Sequence, residues 1–498
     1  MTWSDYEAYD ALGLAGLVAD RKTTPAELLA AALARAEALD PRLNALVHLQ
    51  QGVARRLIAA GLPDGPMRGV PFLLKDLGAE AVDFPASNGS RLLAGTRYPM
   101  DSELYLRLKR AGLVTFGRTT APEGGIGPAT EAAVYGGPTR NPWDLARTPG
   151  GSSGGAGAAV AAGMLPAAHG SDGGGSVRIP ASCCGLFGMK PTRGRLPDGP
   201  YAGEGWAGMA SDGFLTRSVR DTAVLLDATA GADLGAPYWA PPLAGSLLAA
   251  TMRPPPRLRI AFTTTSPSGA AIAPECRVAV EGAARLLAEL GHTVEEAAPV
   301  VDLMTTMRAW TRIVACGTAL WVERKLRARG RPLEEGELEP VARGACALAA
   351  RLSGADYLAA VETIHAFGRD LARFFLGYDA LLTATLAEPP ALVGRFRHAS
   401  EDFEDYRLGP EGVLPYSPFT ALFNASGQPA ASVPLHWTAD GLPVGVQLAT
   451  AFGADELLLA LAGELEAARP WFDRRPPAAN RFPGAPGGAA LPPGDART

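Results

Sequence analysis

The chain has 498 residues, 47% apolar and 19% charged, with 46 basic against 51 acidic groups. At roughly 150 residues per domain that length admits about three domains, yet large α/β enzymes use it as one unit with ample chain to bury a core. A formal net charge of −5 with no basic run excludes non-specific nucleic-acid binding, which needs clustered cations facing phosphates.

The start, Met1 to Asp10, is acidic and lacks the basic-then-apolar layout of a secretion signal. Thr24-Pro25-Ala26-Glu27 then opens a helix, with a Thr cap, Pro at the first helical position and Glu three residues after the cap; the Ala/Leu-rich run should end before Asp40-Pro41. Gly69-Val70-Pro71-Phe72-Leu73-Leu74-Lys75 predicts a short buried strand ending in a charge. A helix over Ser102 to Ala111 and a strand over Leu113 to Phe116 follow, joined at Gly112. This alternation points to an α/β layout.

Small residues and turns dominate 120–180. Residues 148–168 carry no charge, but they are mostly Gly, Ala and Ser with Pro149 and Pro166, so they do not make the strongly apolar run of about 20 that a membrane span needs. Strand Leu258 to Thr263, helix Pro274 to Leu290 and strand His292 to Glu296 resume the alternation, and 302–376 reads as a helical addition. Strands are expected at Tyr378 to Thr383, Ala430 to Leu435 and Pro443 to Leu448, with a last helix near Ala454 to Ala468. The Pro, Gly and Ala of 476–498 bury too little surface to order a tail, so disorder is expected there. Five cysteines without CxxC spacing (Cys183, Cys184, Cys276, Cys316, Cys346) give no zinc pattern and fit a reducing, cytoplasmic compartment.

Only five of the 46 basic residues are lysines: Lys22, Lys75, Lys109, Lys190 and Lys325. Where charge alone matters Arg serves as well, so the lysines that remain are enriched for places where Arg will not do. A buried lysine can lose its proton and act as a base; arginine cannot.

Two glycine-serine clusters flank an Ala-rich helix (Ala156 to Ala162) and a short apolar stretch (Met164 to Ala168): Pro149-Gly150-Gly151-Ser152-Ser153-Gly154-Gly155 and Gly170-Ser171-Asp172-Gly173-Gly174-Gly175-Ser176-Val177-Arg178. A flexible linker would not be interrupted by such elements. Neither cluster spells a phosphate loop or a dinucleotide fingerprint. Gly150-Gly151-Ser152-Ser153-Gly154 matches the Gly-x-Ser-x-Gly nucleophile elbow, but turn residues precede it where a hydrophobic strand belongs, and His436 alone could serve as the late base. The second cluster leaves the amides of Gly173, Gly174 and Gly175 unshielded before Ser176, where acyl transfer needs preorganised donors for an oxyanion. Ser176 is thus a candidate nucleophile; the plainer alternative is a helix cap. Of the six histidines, His169 is the best placed as its base, but nothing positions it. Lys75, desolvated at a strand end, is the stronger candidate, against the alternatives of pairing with Asp76 or snorkelling.

These residues resemble the amidase signature family. The similarity runs from about Thr24 to Ala468, densest between Gly69 and Gly231, through Gly69–Asp76, Gly137-Pro138-Thr139-Arg140-Asn141-Pro142-Trp143-Asp144, both clusters, Gly188–Arg195 and Thr216–Asp221. The resemblance implies one domain over 1–475: N-terminal helices (1–65), a signature core (66–231) and a helical pocket region near 300–376. The implied fold is α/β, a large mixed, mostly parallel sheet covered by helices on both faces. It also implies a Ser–cis-Ser–Lys triad with Ser176 as acyl-enzyme nucleophile, Ser152 as bridging serine after a cis Gly151–Ser152 bond, and Lys75 as base. Gly173, Gly174, Gly175 and the Ser176 amide would form the oxyanion hole, although the family often has Thr where Gly173 stands. Ser153 would support the bridging serine, Asp172 and Arg178 would hold the loop, and Lys190 would be structural.

No metal or cofactor is implied. Gly203-Glu204-Gly205-Trp206-Ala207-Gly208 and Gly235-Ala236-Pro237-Tyr238 are most similar to the branch of 6-aminohexanoate cyclic-dimer hydrolases. The expected substrate is a small, neutral, mostly apolar amide, with anilides, carbamates or esters beside it, and Trp310 and Cys316 lining the pocket. A second copy in a homodimer is left open. Two other readings remain: the amidase-like subunit of a tRNA-dependent amidotransferase, and a non-catalytic amide-binding scaffold.

Overall fold

The structure, a computed structural model, describes residues 3–396 and 399–477, so the expected tail lies outside the described residues from position 478 onward. The capping box at Thr24 forms as read: its side chain accepts from the Glu27 N–H, and the Glu27 carboxylate accepts from the Thr24 N–H. The helix Pro25–Leu43 runs past the expected stop. Pro41 falls in its last turn, and Asn44, at φ 50°, ends it.

Among the described residues eleven strands follow: β1 (Leu46–Val47), β2 (Pro71–Lys75), β3 (Val114–Thr119), β4 (Ala167–Asp172), β5 (Phe187–Lys190), β6 (Ser211–Thr216), β7 (Arg259–Phe262), β8 (Thr293–Glu296), β9 (Ala380–Ala384), β10 (Ala430–Trp437) and β11 (Pro443–Thr450). They form a small sheet ordered β1-β3-β2 and an eight-stranded sheet ordered β4-β6-β5-β10-β11-β9-β7-β8.

The large sheet is mixed, as expected, but not mostly parallel. Every pairing from β4 across to β9 is antiparallel, and only β9–β7 and β7–β8 are parallel. The strand–helix–strand units that pointed to an α/β layout exist at β2–β3 and β7–β8, and both are parallel. The centre is built differently. β10 and β11 are joined by a tight reversal containing Asp440-Gly441, with Gly441 at φ +87°, which makes a hairpin. Strands β5 and β6, unmarked in the sequence reading, insert antiparallel between β4 and β10.

Helices cover the sheet on both faces. Gly445 and Gln447 of β11 face the helix Arg178–Cys184, which supplies Ser182 and Arg178 to them. The helices Val219–Thr229 and Asp455–Ala468 pack on each other and on the sheet. One apolar cluster reaches from Tyr6 to Trp471. The stretch 302–376 holds the helices Leu303–Arg329, Pro340–Ala349 and Gly354–Phe374. Among the described residues no helix is long and apolar enough to cross a membrane.

Candidate active site

Lys75 ends β2, inside a run of five buried residues, and its own side chain is fully buried. Its Nζ donates to Ser152 Oγ at 2.6 Å and to Ser171 Oγ at 2.9 Å. Among the described residues no carboxylate forms a salt bridge with it. Burial therefore dominates and pulls the amine down to about 7, against the smaller upward pull of Asp212 and Asp172.

Ser152 follows a cis Gly151–Ser152 peptide bond and is buried. A Cβ at Gly151 would lie 2.7 Å from the Ala129 amide nitrogen, so only glycine fits. The Ser153 N–H donates to the Ser176 carbonyl at 3.1 Å, which ties the two serine segments together. Ser153 Oγ donates to the Ser171 carbonyl and accepts from the Ser171 N–H, both at 3.2 Å. Ser176 is half-buried, and its Oγ bonds to no protein group among the described residues.

The glycine run is braced from below. Asp172 Oδ1 accepts from the Gly175 N–H at 2.7 Å, and Oδ2 accepts from the Val177 N–H at 3.1 Å. The Gly175 amide, one of the expected donors, is thereby engaged by Asp172. Burial pushes the Asp172 carboxyl up, but Arg178, paired with it at 2.8 Å, outweighs burial and holds it well below the usual carboxylate range. Arg178 also donates to the Thr420 carbonyl, Gln447 and Asn424; Asn424 donates to the Asp172 carbonyl, and Thr420 Oγ1 donates to the Gly174 carbonyl.

Sequence reasoning missed Thr420, Asn424 and Ser171. Thr420 and Asn424 lie buried in the helix Thr420–Ser426, and no local sequence pattern marks them.

Trp310 and Trp206 wall the same run. A Cβ at Gly174 would meet Trp310 at 2.5 Å, and one at Gly173 would meet Trp206 at 2.5 Å. Trp206 in turn lies against Gly317 of the helix Leu303–Arg329, next to the half-buried Cys316. Trp310 is thus at the site, and Cys316 is one residue from a contact with its wall. The buried Arg407 guanidinium stacks on the Trp310 ring, 3.9 Å from its centroid.

The other candidates are engaged elsewhere. His169 Nδ1 accepts from the Lys75 backbone N–H at 3.1 Å and its Nε2 lies 2.9 Å from Asp212 Oδ1, so it does not face Ser176 as a base. His436 sits in β10 opposite Val444. Lys190, drawn down to about 7 chiefly by burial and secondly by Arg178, donates to the Pro191 carbonyl at 2.7 Å. Among the described residues no group of His, Cys, Asp or Glu side chains is arranged to hold a metal ion.

Known proteins share this architecture over nearly the whole chain. The family model Amidase matches residues 27–459. A 6-aminohexanoate-cyclic-dimer hydrolase of Paenarthrobacter ureafaciens is 38% identical over 476 residues, covering 94% of this chain and 96% of that protein. A solved structure of 6-aminohexanoate cyclic dimer hydrolase superposes with a TM-score of 0.88 at 37% identity, covering 94% of this chain and 98% of that one. A bacterial aryl acylamidase of the amidase signature family superposes at 0.84 with 29% identity, covering 93% and 96%. With a family model over most of its length and relatives of this identity, the chain belongs to the amidase signature family and is an amidase, a hydrolase of carbon–nitrogen bonds other than peptide bonds.

Proposed function

We propose that the enzyme cleaves neutral, mostly apolar amides through a serine acyl-enzyme. In this reading Ser176 is the nucleophile, Ser152 the relay and Lys75 the base. The observation that carries it is the 2.6 Å contact between a fully buried, carboxylate-free Lys75 amine and Ser152 Oγ. An amine held near 7 is neutral in about half the molecules at neutral pH, which suits a general base.

Neutral Lys75 takes the Ser152 proton while Ser152 takes that of Ser176, and Ser176 Oγ attacks the amide carbon. The oxyanion is received by backbone N–H groups of Gly173, Gly174 and Ser176, which Asp172 leaves unengaged. Collapse of the tetrahedral intermediate breaks the C–N bond as Ser152 returns a proton to the departing amine. Water then attacks the ester by the same relay in reverse and restores Ser176.

Trp206 and Trp310 beside Gly173 and Gly174 support an apolar substrate, since their rings offer large apolar contact area. The similarity to cyclic-dimer hydrolases makes nylon-type oligoamides the first substrates to assay, followed by anilides and carbamates. Fluorophosphonate labelling with mass spectrometry tests the nucleophile: a label on Ser176, lost in Ser176→Ala, is expected, and labelling elsewhere overturns the assignment. A panel of purified amides tests the substrate class, and activity confined to small charged amides such as glutamine overturns it.

A further inference from the structure

The base and the nucleophile loop come from different sheets. β2 carries Lys75 and β4 leads into Gly173–Ser176, yet β2 and β4 share no hydrogen-bonded ladder. What sets the seam between them is a side chain. His169 and Ser171, two residues apart on β4, point to the same side and both reach Lys75. Ser171 Oγ lies 2.9 Å from the amine, and His169 Nδ1 accepts the backbone N–H at 3.1 Å.

The remaining His169 nitrogen, Nε2, lies 2.9 Å from Asp212 Oδ1 on β6. Because Nδ1 must accept, the ring is neutral with its proton on Nε2, donated to Asp212. On the opposite side, Arg118 of β3 donates to the Lys75 carbonyl at 2.7 Å. The Lys75 peptide is held at both ends by buried side chains.

We propose that His169 is a positioning residue for Lys75: it fixes the end of β2 through the Lys75 N–H and keeps the Asp212 carboxylate engaged, away from the Lys75 amine. This rests on the reading of Lys75 as base. Among the described residues, the charged groups acting on the amine are Asp212 on β6 and Asp172 on β4, while His169 on β4 and Arg118 on β3 hold the Lys75 backbone. The helix Gly154–Ala161 packed on β2 carries none. On the helix Pro25–Leu43, Arg35 is directed to the Gly163 carbonyl and Glu7, and Asp40 to the Ala45 and Leu46 amides.

Three variants separate the two roles. His169→Leu removes both bonds; kcat should fall roughly tenfold or more with KM within about twofold, since the base is misplaced while the pocket is intact. His169→Asn restores an acceptor for the Lys75 N–H but is too short to reach Asp212, so kcat at alkaline pH should recover to within about threefold of wild type. Asp212→Asn keeps an acceptor for Nε2–H and removes the charge.

The amine is followed directly by NMR of isotopically labelled lysine, a tractable spectrum with only five lysines. Its titration midpoint should rise in both His169 variants, where Asp212 is released, and fall in Asp212→Asn. An unmoved midpoint in His169→Asn and Asp212→Asn overturns the proposal even if His169→Leu does not fold, and so does wild-type kcat in a folded His169→Leu. Because the titration is read on the amine, it tests positioning apart from base catalysis. Midpoint shifts that the acid limb of kcat/KM fails to follow would refute Lys75 as base and leave the positioning role standing.

Discussion

Lys75 shows how a single side chain can be costly to the fold and useful to the reaction. Its amine is buried and, among the described residues, pairs with no carboxylate, and desolvation drags it from the ordinary lysine range to about 7. The native state therefore binds fewer protons than the unfolded chain between about 7 and the ordinary lysine value of 10.5, so stability contributed by this group rises with pH across that window and is flat below it. Lys75→Met should accordingly raise the thermal midpoint measured at pH 7 while abolishing turnover; an unchanged or lower midpoint would contradict the burial account. Activity should show the matching sign, with kcat/KM falling as pH drops below about 7 because the protonated amine cannot accept from Ser152. Lys75→Arg keeps the charge and forfeits the base, so a folded variant with turnover reduced by roughly three orders of magnitude or more is expected in a steady-state assay.

At the scale of elements, the loop between β4 and the helix Arg178–Cys184 is held by residues that arrive from far along the chain. Arg178 binds Asp172, Gln447, Asn424 and the Thr420 carbonyl, all buried. Arg178→Met would strand the Asp172 carboxylate in the interior, and a loss of roughly 3–5 kcal/mol is expected in chemical denaturation. Glycine at 174 answers a second constraint, the closeness of Trp310. Gly174→Ala places a Cβ 2.5 Å from that ring and should displace the amide proposed to receive the oxyanion, with a fall of roughly 10²–10³-fold in kcat. The double variant Gly174→Ala with Trp310→Leu should regain part of it; a double variant no better than the single would show that the collision is not the cause.

These brackets mark the limit of what the sequence displayed. Lys75 and the Gly173–Ser176 run stood out as candidates because each lies in a short local pattern, an apolar strand ending in a lysine and glycines crowding a serine, whereas Ser152 was singled out only through the family resemblance. Thr420 and Asn424 were not, because nothing local distinguishes a buried Asn in a helix from a surface one. Strands β5 and β6 contain Gly188 and Gly213, so their apolar pattern is weak, and the mostly parallel sheet implied by the family resemblance gave no sign of them.

For the molecule as a whole, the question is whether one chain suffices for turnover. The groups around the reaction centre come from β2, β4 and its loop, the Ser152 segment, the helix Leu303–Arg329 and the helix Thr420–Ser426, and each is buried against the others within this chain. The Lys75–Ser152 contact closes without a second subunit, and the backbone amides ahead of Ser176 are braced by Asp172, Asn424 and Thr420 of the same chain. A subunit that must be completed by an ATP-linked partner would lack activity when purified. Here the purified chain should hydrolyse an apolar amide with a rate proportional to enzyme concentration down to high dilution, unaffected by ATP or glutamine. A specific rate that collapses on dilution would place part of the site in a second copy, and one that appears only with ATP and a partner would return the chain to the amidotransferase reading. Because this chain itself supplies the Lys75–Ser152 contact and the bracing of the glycine run, neither outcome is expected.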